Sequence, residues 1–580
     1  MAWRDWHARG RVPWAVITAA VAGLASWSLV SAGSGPADGS GAPSARTSRQ
    51  VFRWGYANEF TSFNMNTPQG YSAGNQAVLN QVLRNFSYLG PDGKVHPDTQ
   101  FGTYEKTSDD PLAVRYVFDQ RAAWSDGNPL DCDDAVLAWL ANSGVSGRGG
   151  FAAAGVDGYE DMTEPRCADG AKAFTVTFRK PYADWAAMFG TVGVLLPAHI
   201  VEAKAGVNDI IAVADDPTGP GSRAASAFYN TAWNLDPGRL KAEIMPSAGP
   251  YRITDWIPGE SLTLQANPHW WGPPPRSDTI VIRYLQPDTQ ALALANGEID
   301  AMAPPAQASV IDQLRSAGNR VRFQITDQYT FEHIDFNLRG LFADRNLREA
   351  FARCLPRQQI IDAVVKPVAP QARILQSRLS LPFQSAYQEF KNTGGQRYTS
   401  VDLKAARRLV AATGRTTAIP VRLAWPRYPL WDHHRWQDAL ALIQDSCGQV
   451  GFRVLDAGSP TLFERELIDG DYDIVMFNWT GSPLMSTSHD VYTSAGEINY
   501  GKYSSPDVDR WFDQAIHELN PDRQTALLKL IDTQLWRDLA TIPLYAHPAV
   551  LATSPQAHGV VYNPTQGELS WNAQDWYVND

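Results

Sequence analysis

Cysteine is scarce in this chain, and its placement limits the chemistry available. Only Cys132, Cys167, Cys354 and Cys447 occur among 580 residues, and no two have Cys-x-x-Cys spacing, which argues against a zinc ribbon or a thioredoxin-like redox centre. No cysteine precedes Cys132, so the N-terminal segment has no thiol to carry a lipid. Basic runs are missing too: lysine and arginine stand singly or in scattered pairs and the formal charge is -11. Without a basic stripe there is no electrostatic footprint for nucleic acid, and that class is excluded. Histidine is sparse at 11 residues, and the adjacent His433-His434 cannot share an ion, because neighbours on a helix point about 100° apart. Neither a metal site nor a cofactor is expected.

What the chain has in abundance is apolar and aromatic mass: 44% hydrophobic residues, with 20 Trp, 21 Tyr and 22 Phe, among 39 Pro and 44 Gly. This is the composition of a globular protein with many turns, and its length calls for several domain-sized units. The long uncharged run is Val12 to Gly33, behind Arg4, Arg9 and Arg11 and ahead of a Gly/Ser/Pro/Ala-rich stretch. That layout is a secretory leader and a flexible linker. Residues 1–32 are either a signal peptide cut after Ala32 or, since the run is long enough to span a bilayer, a signal anchor; residues 33–50 are the linker.

The organising stretch is Ser247 to Ala301. Gly249-Pro250 punctuates a turn, Ser261 to Ala266 alternates as a strand, Asn267-Pro268 ends it, and Thr289 to Asn296 is a short helix before Gly297. Strands are expected at Phe52–Tyr56, Val114–Phe118, Lys172–Lys180, Thr279–Leu285, Phe331–Asn337, Ile419–Ala424, Asp471–Phe477 and Thr541–Tyr545. Helices are expected at Ala135–Leu140, with Asp133 and Asp134 as caps, at Asn346–Ala352 and at Asp402–Ala411, while Asp209–Asn234 reads as a loop. Gly70-Tyr71-Ser72-Ala73-Gly74 matches the nucleophile elbow of serine hydrolases. That elbow works only where an apolar strand runs into it, and Asn66-Thr67-Pro68-Gln69 is no such strand, so Ser72 is the remote alternative.

Several segments in fixed order resemble one family. Gly249-Pro250-Tyr251, Asn267-Pro268-His269-Trp270-Trp271-Gly272 and Gly297-Glu298-Ile299-Asp300, with Trp124 to Leu130, Leu195 to His199, Leu347 to Ala352 with Arg357, and Asp402 to Leu409, are similar to the extracytoplasmic solute-binding proteins of family 5, the oligopeptide/dipeptide transporter family, in its actinobacterial form. The resemblance implies an α/β fold of the two-lobed periplasmic-binding-protein kind (type II, large class, with an extra subdomain in the first lobe). It divides the chain into 51–90 and 236–304 of lobe 1, an extra subdomain at 91–235, lobe 2 at 305–530 and a return to lobe 1 at 531–580. It implies no enzyme but an exported monomer at the outer face of the cytoplasmic membrane, or in a periplasm-like space. There it would capture oligopeptides between closing lobes for the permease subunits of an ABC importer. Oligosaccharides or another small solute on the same fold are the alternative. With the lobes drawn so, Cys132–Cys167 and Cys354–Cys447 pair within lobes.

The resemblance also directs attention to the cleft. From lobe 1, Tyr56, Glu59, Phe63, Asn64 and Tyr71 are candidate ligand contacts; from lobe 2, Trp425, Arg427, Tyr428, Asn478, Trp479, Thr480, Asp490 and Tyr492. In enterobacterial relatives a Trp-x-x-Asp holds the peptide's free amino group with its carboxylate. Here Trp479 matches, but Ser482 stands at the acid's place, and a neutral hydroxyl cannot form that salt bridge. Asp490 or Glu59 is the candidate replacement.

Overall fold

A computed structural model describes residues 50–579 apart from 157, 191–192, 236–238, 428–433, 483, 485 and 566. The expectations for residues 1–32, for nearly all of the linker, and for Tyr428 and His433 lie outside the described residues.

Ten strands form one sheet, in the spatial order Phe452–Ser459, Ile419–Pro426, Ile474–Thr480, Arg322–Phe336, Thr541–Thr553, Ala301–Met302, Val51–Tyr56, Thr279–Tyr284, Ser261–Ala266 and Tyr251–Ile257. The two long strands at its middle, Arg322–Phe336 and Thr541–Thr553, are antiparallel, with irregular register between Asp327 and Phe331 and again between Glu332 and His333. Side chains toward one end of the sheet, among them Phe52, Trp54, Tyr251, Leu264 and Ile282, build one core. Those toward the other end, including Ile334, Val421, Leu423, Ile474 and Ile542, build a second. Along Ala549–Ala552 the assignment alternates: Ala549 and Leu551 join the first core, Val550 and Ala552 the second, as a two-residue period demands of a strand whose faces meet different neighbours. The chain is thus a two-lobed α/β fold of the periplasmic-binding-protein kind, its lobes joined by long central strands.

A three-stranded antiparallel sheet, Gly102–Asp109, Leu112–Phe118 and Ala173–Thr177, packs on the first core. Beside it the helix Cys132–Asn142 begins one residue earlier than its acids suggest. Asp131 is the N-cap, and Asp134 returns the bond by accepting from the Asp131 N–H at 3.2 Å, a reciprocal capping box that satisfies two orphan donors. The Asp209–Asn234 segment is not a loop but carries the helices Ile210–Asp215 and Pro220–Thr231. Asp209 caps the first, Pro220 occupies the first turn of the second, where a missing N–H costs nothing, and Ser222, Ala225, Ser226 and Tyr229 form a buried face. Small and polar residues hid that face. Gly249 is required by close approach: a Cβ there would lie 2.4 Å from the Gln81 carbonyl oxygen.

Two disulfides, Cys132–Cys167 and Cys354–Cys447, join residues 35 and 93 positions apart. The first ties the start of helix Cys132–Asn142 to the segment before Ala173–Thr177; the second ties helix Arg345–Cys354 to helix His434–Gly448.

On helix Pro521–Asp538, Asp532, 1% exposed, accepts hydrogen bonds from Ser377 Oγ at 3.0 Å and from Thr393 Oγ1. Burial nevertheless pushes its carboxyl from 3.8 up to about 6. The folded chain therefore holds a proton that the unfolded chain has released, and unfolding free energy falls as pH rises from about 4 to about 6, by as much as about 3 kcal/mol. Urea titrations at pH 4.5 and 6.5 on the parent and on Asp532→Asn check this: the variant should lose that part of the slope.

Candidate functional site

A cavity of about 530 Å³ opens where the first lobe faces the segment that follows strand Ile474–Thr480. One wall comes from residues 65–98, from the 182–190 region and from Thr565, Gly567 and Trp571; the other comes from Thr480, Gly481, Ser482, Leu484, Asp490 and Ile498.

The first wall is held by its own amides. Asn75 Oδ1 accepts from the N–H groups of Thr61 and Ser62 at 2.7 and 3.0 Å. Asn64 Nδ2 donates to the Tyr229 carbonyl at 2.9 Å, and Asn66 Nδ2 to that of Gly193 at 2.8 Å. Ser72 Oγ accepts from Asn75 N–H at 3.2 Å and caps helix Ala73–Leu79. Turns rather than a strand precede Ser72, so the elbow motif is a helix cap. Tyr88 stacks on Trp571, ring centres 5.9 Å apart, and on His96 at 5.6 Å, giving the wall a flat aromatic face. Arg84 donates Nε to Asp98 at 2.7 Å and closes the pair through Nη2 at 2.5 Å, with both side chains largely buried.

The second wall hangs from the central strands. Gly481 N–H donates to the Tyr329 carbonyl at 2.9 Å, and the Ser482 hydroxyl accepts from Leu484 N–H at 3.1 Å. Asp490 lies on helix Ser486–Tyr492, with His489 Nδ1 3.2 Å from its Oδ1. Gly496 fits beneath this turn because a Cβ there would meet the Asp490 carbonyl oxygen at 2.1 Å. Away from the cavity the two sides meet again: Ala183 N–H donates to the Ile516 carbonyl at 2.7 Å, and His517 Nε2 stands 3.9 Å from Asp161.

Of the residues expected in the cleft, the structure brings Tyr71, Thr480 and Asp490 together around this cavity. It places Phe63 and Asn64 inside the first lobe, and Tyr56 there too, its hydroxyl donating to the Ala73 carbonyl at 3.3 Å. Burial raises the Tyr56 phenol well above its ordinary range. Glu59 accepts from Gly259 N–H at 2.8 Å, away from the lining. Trp425 is not in an exit loop but in strand Ile419–Pro426, fully buried, with Nε1 donating to Asp456 Oδ1 at 2.8 Å. Arg427 pairs with the other Asp456 oxygen at 2.6 Å. Asn478 and Trp479 lie within strand Ile474–Thr480, Trp479 parallel to Tyr500 at 6.3 Å and to His333 at 6.3 Å. Tyr492 is buried under Arg378, 4.5 Å from its ring centre. Arg84, Asp98, Asp184, Tyr88 and Trp571 line the cavity without having been singled out as contacts; no local period marks them, because their elements meet only in the fold.

At the junction of the lobes, Glu332, 1% exposed, accepts from Trp436 Nε1 at 2.9 Å and stands 3.0 Å from His547 Nε2. Burial would raise its carboxyl, but His547 and the Arg435 charge outweigh that and hold it below the ordinary value. Among the described residues no three His, Cys, Asp or Glu side chains gather as a metal site would require.

The sequence profile described as "Bacterial extracellular solute-binding proteins, family 5 Middle" matches residues 99–499. Similar proteins include the "Uncharacterized lipoprotein Rv2585c" of Mycobacterium tuberculosis, 28% identical over 530 residues, covering 89% of this chain and 91% of that one. The oligopeptide-binding protein OppA of Mycobacterium tuberculosis is 28% identical over 506 residues, covering 85% of this chain and 79% of OppA. Among solved structures, the periplasmic EDTA-binding protein EppA superposes with a TM-score of 0.80 at 21% identity, over 91% of this chain and 96% of that one.

Proposed function

This chain belongs to the family 5 bacterial extracellular solute-binding proteins, and from that premise we propose that it captures short oligopeptides in the cavity between its lobes and hands them to the permease subunits of an ABC importer. As a family member it is an extracytoplasmic binding subunit and not an enzyme. The observation that carries the peptide reading is the lining. A space of about 530 Å³ lies within the range of small-ligand sites, and it is bordered by the amides of Asn66, Gln76, Asn80, Asn85 and Asn142 together with aromatic faces. A peptide backbone presents donors and acceptors in turn, so amides can pair with it whatever its side chains, directly or through water.

Asp490 is the acid for the peptide's amino group. It shares a wall with Ser482, whose hydroxyl is engaged in its own turn. Asp490→Asn should weaken peptides with a free N-terminus by about tenfold or more, since a hydrogen bond to a charged group contributes about 1.5–3 kcal/mol, and should change N-acetylated peptides far less. Calorimetric titration of both series against parent and variant decides it; equal losses in the two series would remove Asp490 from this role.

The whole reading is tested by native mass spectrometry of residues 33–580, purified without added ligand, followed by thermal-shift screens against peptide and oligosaccharide pools. Retained masses that fragment as peptides, or shifts confined to the peptide pool, support it. Hexose-spaced masses, or shifts confined to the sugars, overturn it.

A further inference from the structure

Resting on the peptide reading, we infer that the cavity continues into the first lobe as an apolar chamber that selects peptides carrying a tyrosine or tryptophan side chain, with Asn85 accepting the hydrogen bond of its hydroxyl or indole N–H. The residues that line the cavity fall into two kinds by burial. Tyr71 and Tyr88, 56% and 37% exposed, stand at its mouth, whereas Met65, Leu83, Tyr159, Met188 and Val194 line it and are buried. Close approaches of the backbone hold these buried residues side by side. A Cβ added at Gly193, next to Val194, would lie 3.6 Å from Leu83 Cδ1 and 3.7 Å from Met65 Cβ, and one added at Gly158, next to Tyr159, would lie 2.9 Å from Met188 Sδ. Phe189 N–H donates to Tyr159 Oη at 3.2 Å, and Phe86 N–H donates to the Phe189 carbonyl at 3.1 Å, which sets the Asn85 segment beside Met188.

An aromatic side chain matches this surface. A thioether is polarizable and gains from contact with a ring edge; Met65 and Met188 supply two, and Tyr159 adds a ring of its own. A charged side chain would leave water for an apolar surface, which is costly. Selection among aromatic residues comes from Asn85. It lines the cavity and is 5% exposed; its Nδ2 donates to the Leu83 carbonyl at 3.1 Å, while its Oδ1 has no hydrogen-bond partner. A buried acceptor left bare is unfavourable, and a ligand donor that reaches it removes that penalty. The last torsion of a carboxamide is soft, so a small rotation turns Oδ1 toward a donor entering the chamber. Tyrosine and tryptophan combine a large ring for the thioethers with an O–H or N–H for this oxygen; phenylalanine brings the ring alone.

The test uses tetra-alanine and the tetrapeptides in which Tyr or Phe replaces Ala at each position in turn, all with free amino termini, titrated by calorimetry into the full secreted chain. At the best position the Phe peptide is expected to bind about tenfold tighter than tetra-alanine, from the apolar area it buries, and the Tyr peptide about tenfold tighter again. In Asn85→Leu, with folding checked by its thermal transition, the Tyr peptide should fall to the level of the Phe peptide. Met188→Ala, which keeps Asn85, should weaken the Tyr and Phe peptides about fivefold each and leave tetra-alanine nearly unchanged, so the chamber is tested even where Asn85→Leu does not fold. Equal affinities for all the peptides in the parent protein overturn the inference while leaving the peptide reading intact. A Phe peptide that binds the parent as tightly as its Tyr counterpart overturns the role of Asn85, as does a Tyr preference that persists in folded Asn85→Leu. Losses in Met188→Ala that fall equally on tetra-alanine overturn the chamber. Failure of every peptide to bind overturns the peptide reading and this inference with it.

Discussion

Replacing Cys354 and Cys447 together by alanine is expected to lower the unfolding free energy by about 4.7 kcal/mol, as judged from urea denaturation followed by tryptophan fluorescence. The residues are 93 positions apart, so the crosslink removes a large share of the freedom of the unfolded second lobe. The segment it closes contains strand Ile419–Pro426 and the helices Arg357–Val364 and Leu403–Ala412. Both half-cystines are fully buried, and Ser446 Oγ donates to the Cys354 carbonyl at 2.6 Å. Alanine is the appropriate replacement, because a serine hydroxyl there would need a partner of its own. The Cys132–Cys167 pair closes only 35 positions and should cost about 3.8 kcal/mol by the same chain-entropy relation. The ordering is the informative part: if the shorter crosslink proves the more stabilising, native packing around Cys132 rather than loop closure governs the effect. Oxidation of this kind also suits the extracytoplasmic space the family occupies.

The fold was readable from local signals to the extent that one principle acted alone. The strands at Ser261–Ala266 and Thr279–Tyr284 alternate apolar and polar residues, and they form as read. The long central strands were seen only at their apolar ends, Phe331–Asn337 and Thr541–Tyr545. Their remaining halves, Arg322–Thr330 and Ala546–Thr553, mix polar residues and a proline, and in Ala549–Ala552 successive side chains join different cores. Helix Pro220–Thr231 was missed for a related reason: alanine, serine and a tyrosine form its buried face, and a composition rich in Gly, Pro and Ser resembles a loop. The candidate site was half legible. Thr480 ends a strong buried strand and Asp490 follows it, at the place the family resemblance marks. On the opposite wall Tyr71 lines the cavity while Asn64 braces a loop, and a buried amide with that task has the same residue signature as one that meets a ligand. Trp425 is similar: a run of rings and prolines looked like a pocket rim, yet its indole N–H is satisfied by Asp456 inside the second lobe. Arg84 and Asp98 are 14 residues apart and meet only because strand Val95–Pro97 folds back on Ser87–Leu89, a pairing with no local period to announce it.

The other large effect expected is at Arg357, one of the residues that carry the family resemblance. It is 1% exposed and has no acidic partner within salt-bridge distance among the described residues. Instead its guanidinium reaches four carbonyl oxygens: Nη1 donates to Gly395 and Tyr398 at 3.4 and 3.3 Å, and Nη2 to Pro543 at 2.6 Å and to Leu375. The guanidinium also lies 5.4 Å from the Trp536 ring centre. These acceptors belong to three stretches of chain, one of them the central strand Thr541–Thr553. Arg357→Met keeps the apolar stem and the helix propensity but leaves the carbonyls bare. With each unsatisfied buried acceptor costing about 1–3 kcal/mol and partial rescue by water, the net loss should be about 3–5 kcal/mol. Arg357→Lys should recover part of it, since a single ammonium can bond some of these carbonyls but lacks the planar fork that spans them. Urea midpoints of parent, Lys and Met variants, in that descending order, are the expected result. A Met variant within about 1 kcal/mol of the parent would mean that water satisfies the four carbonyls and that Arg357 does not hold the second lobe to the central strand.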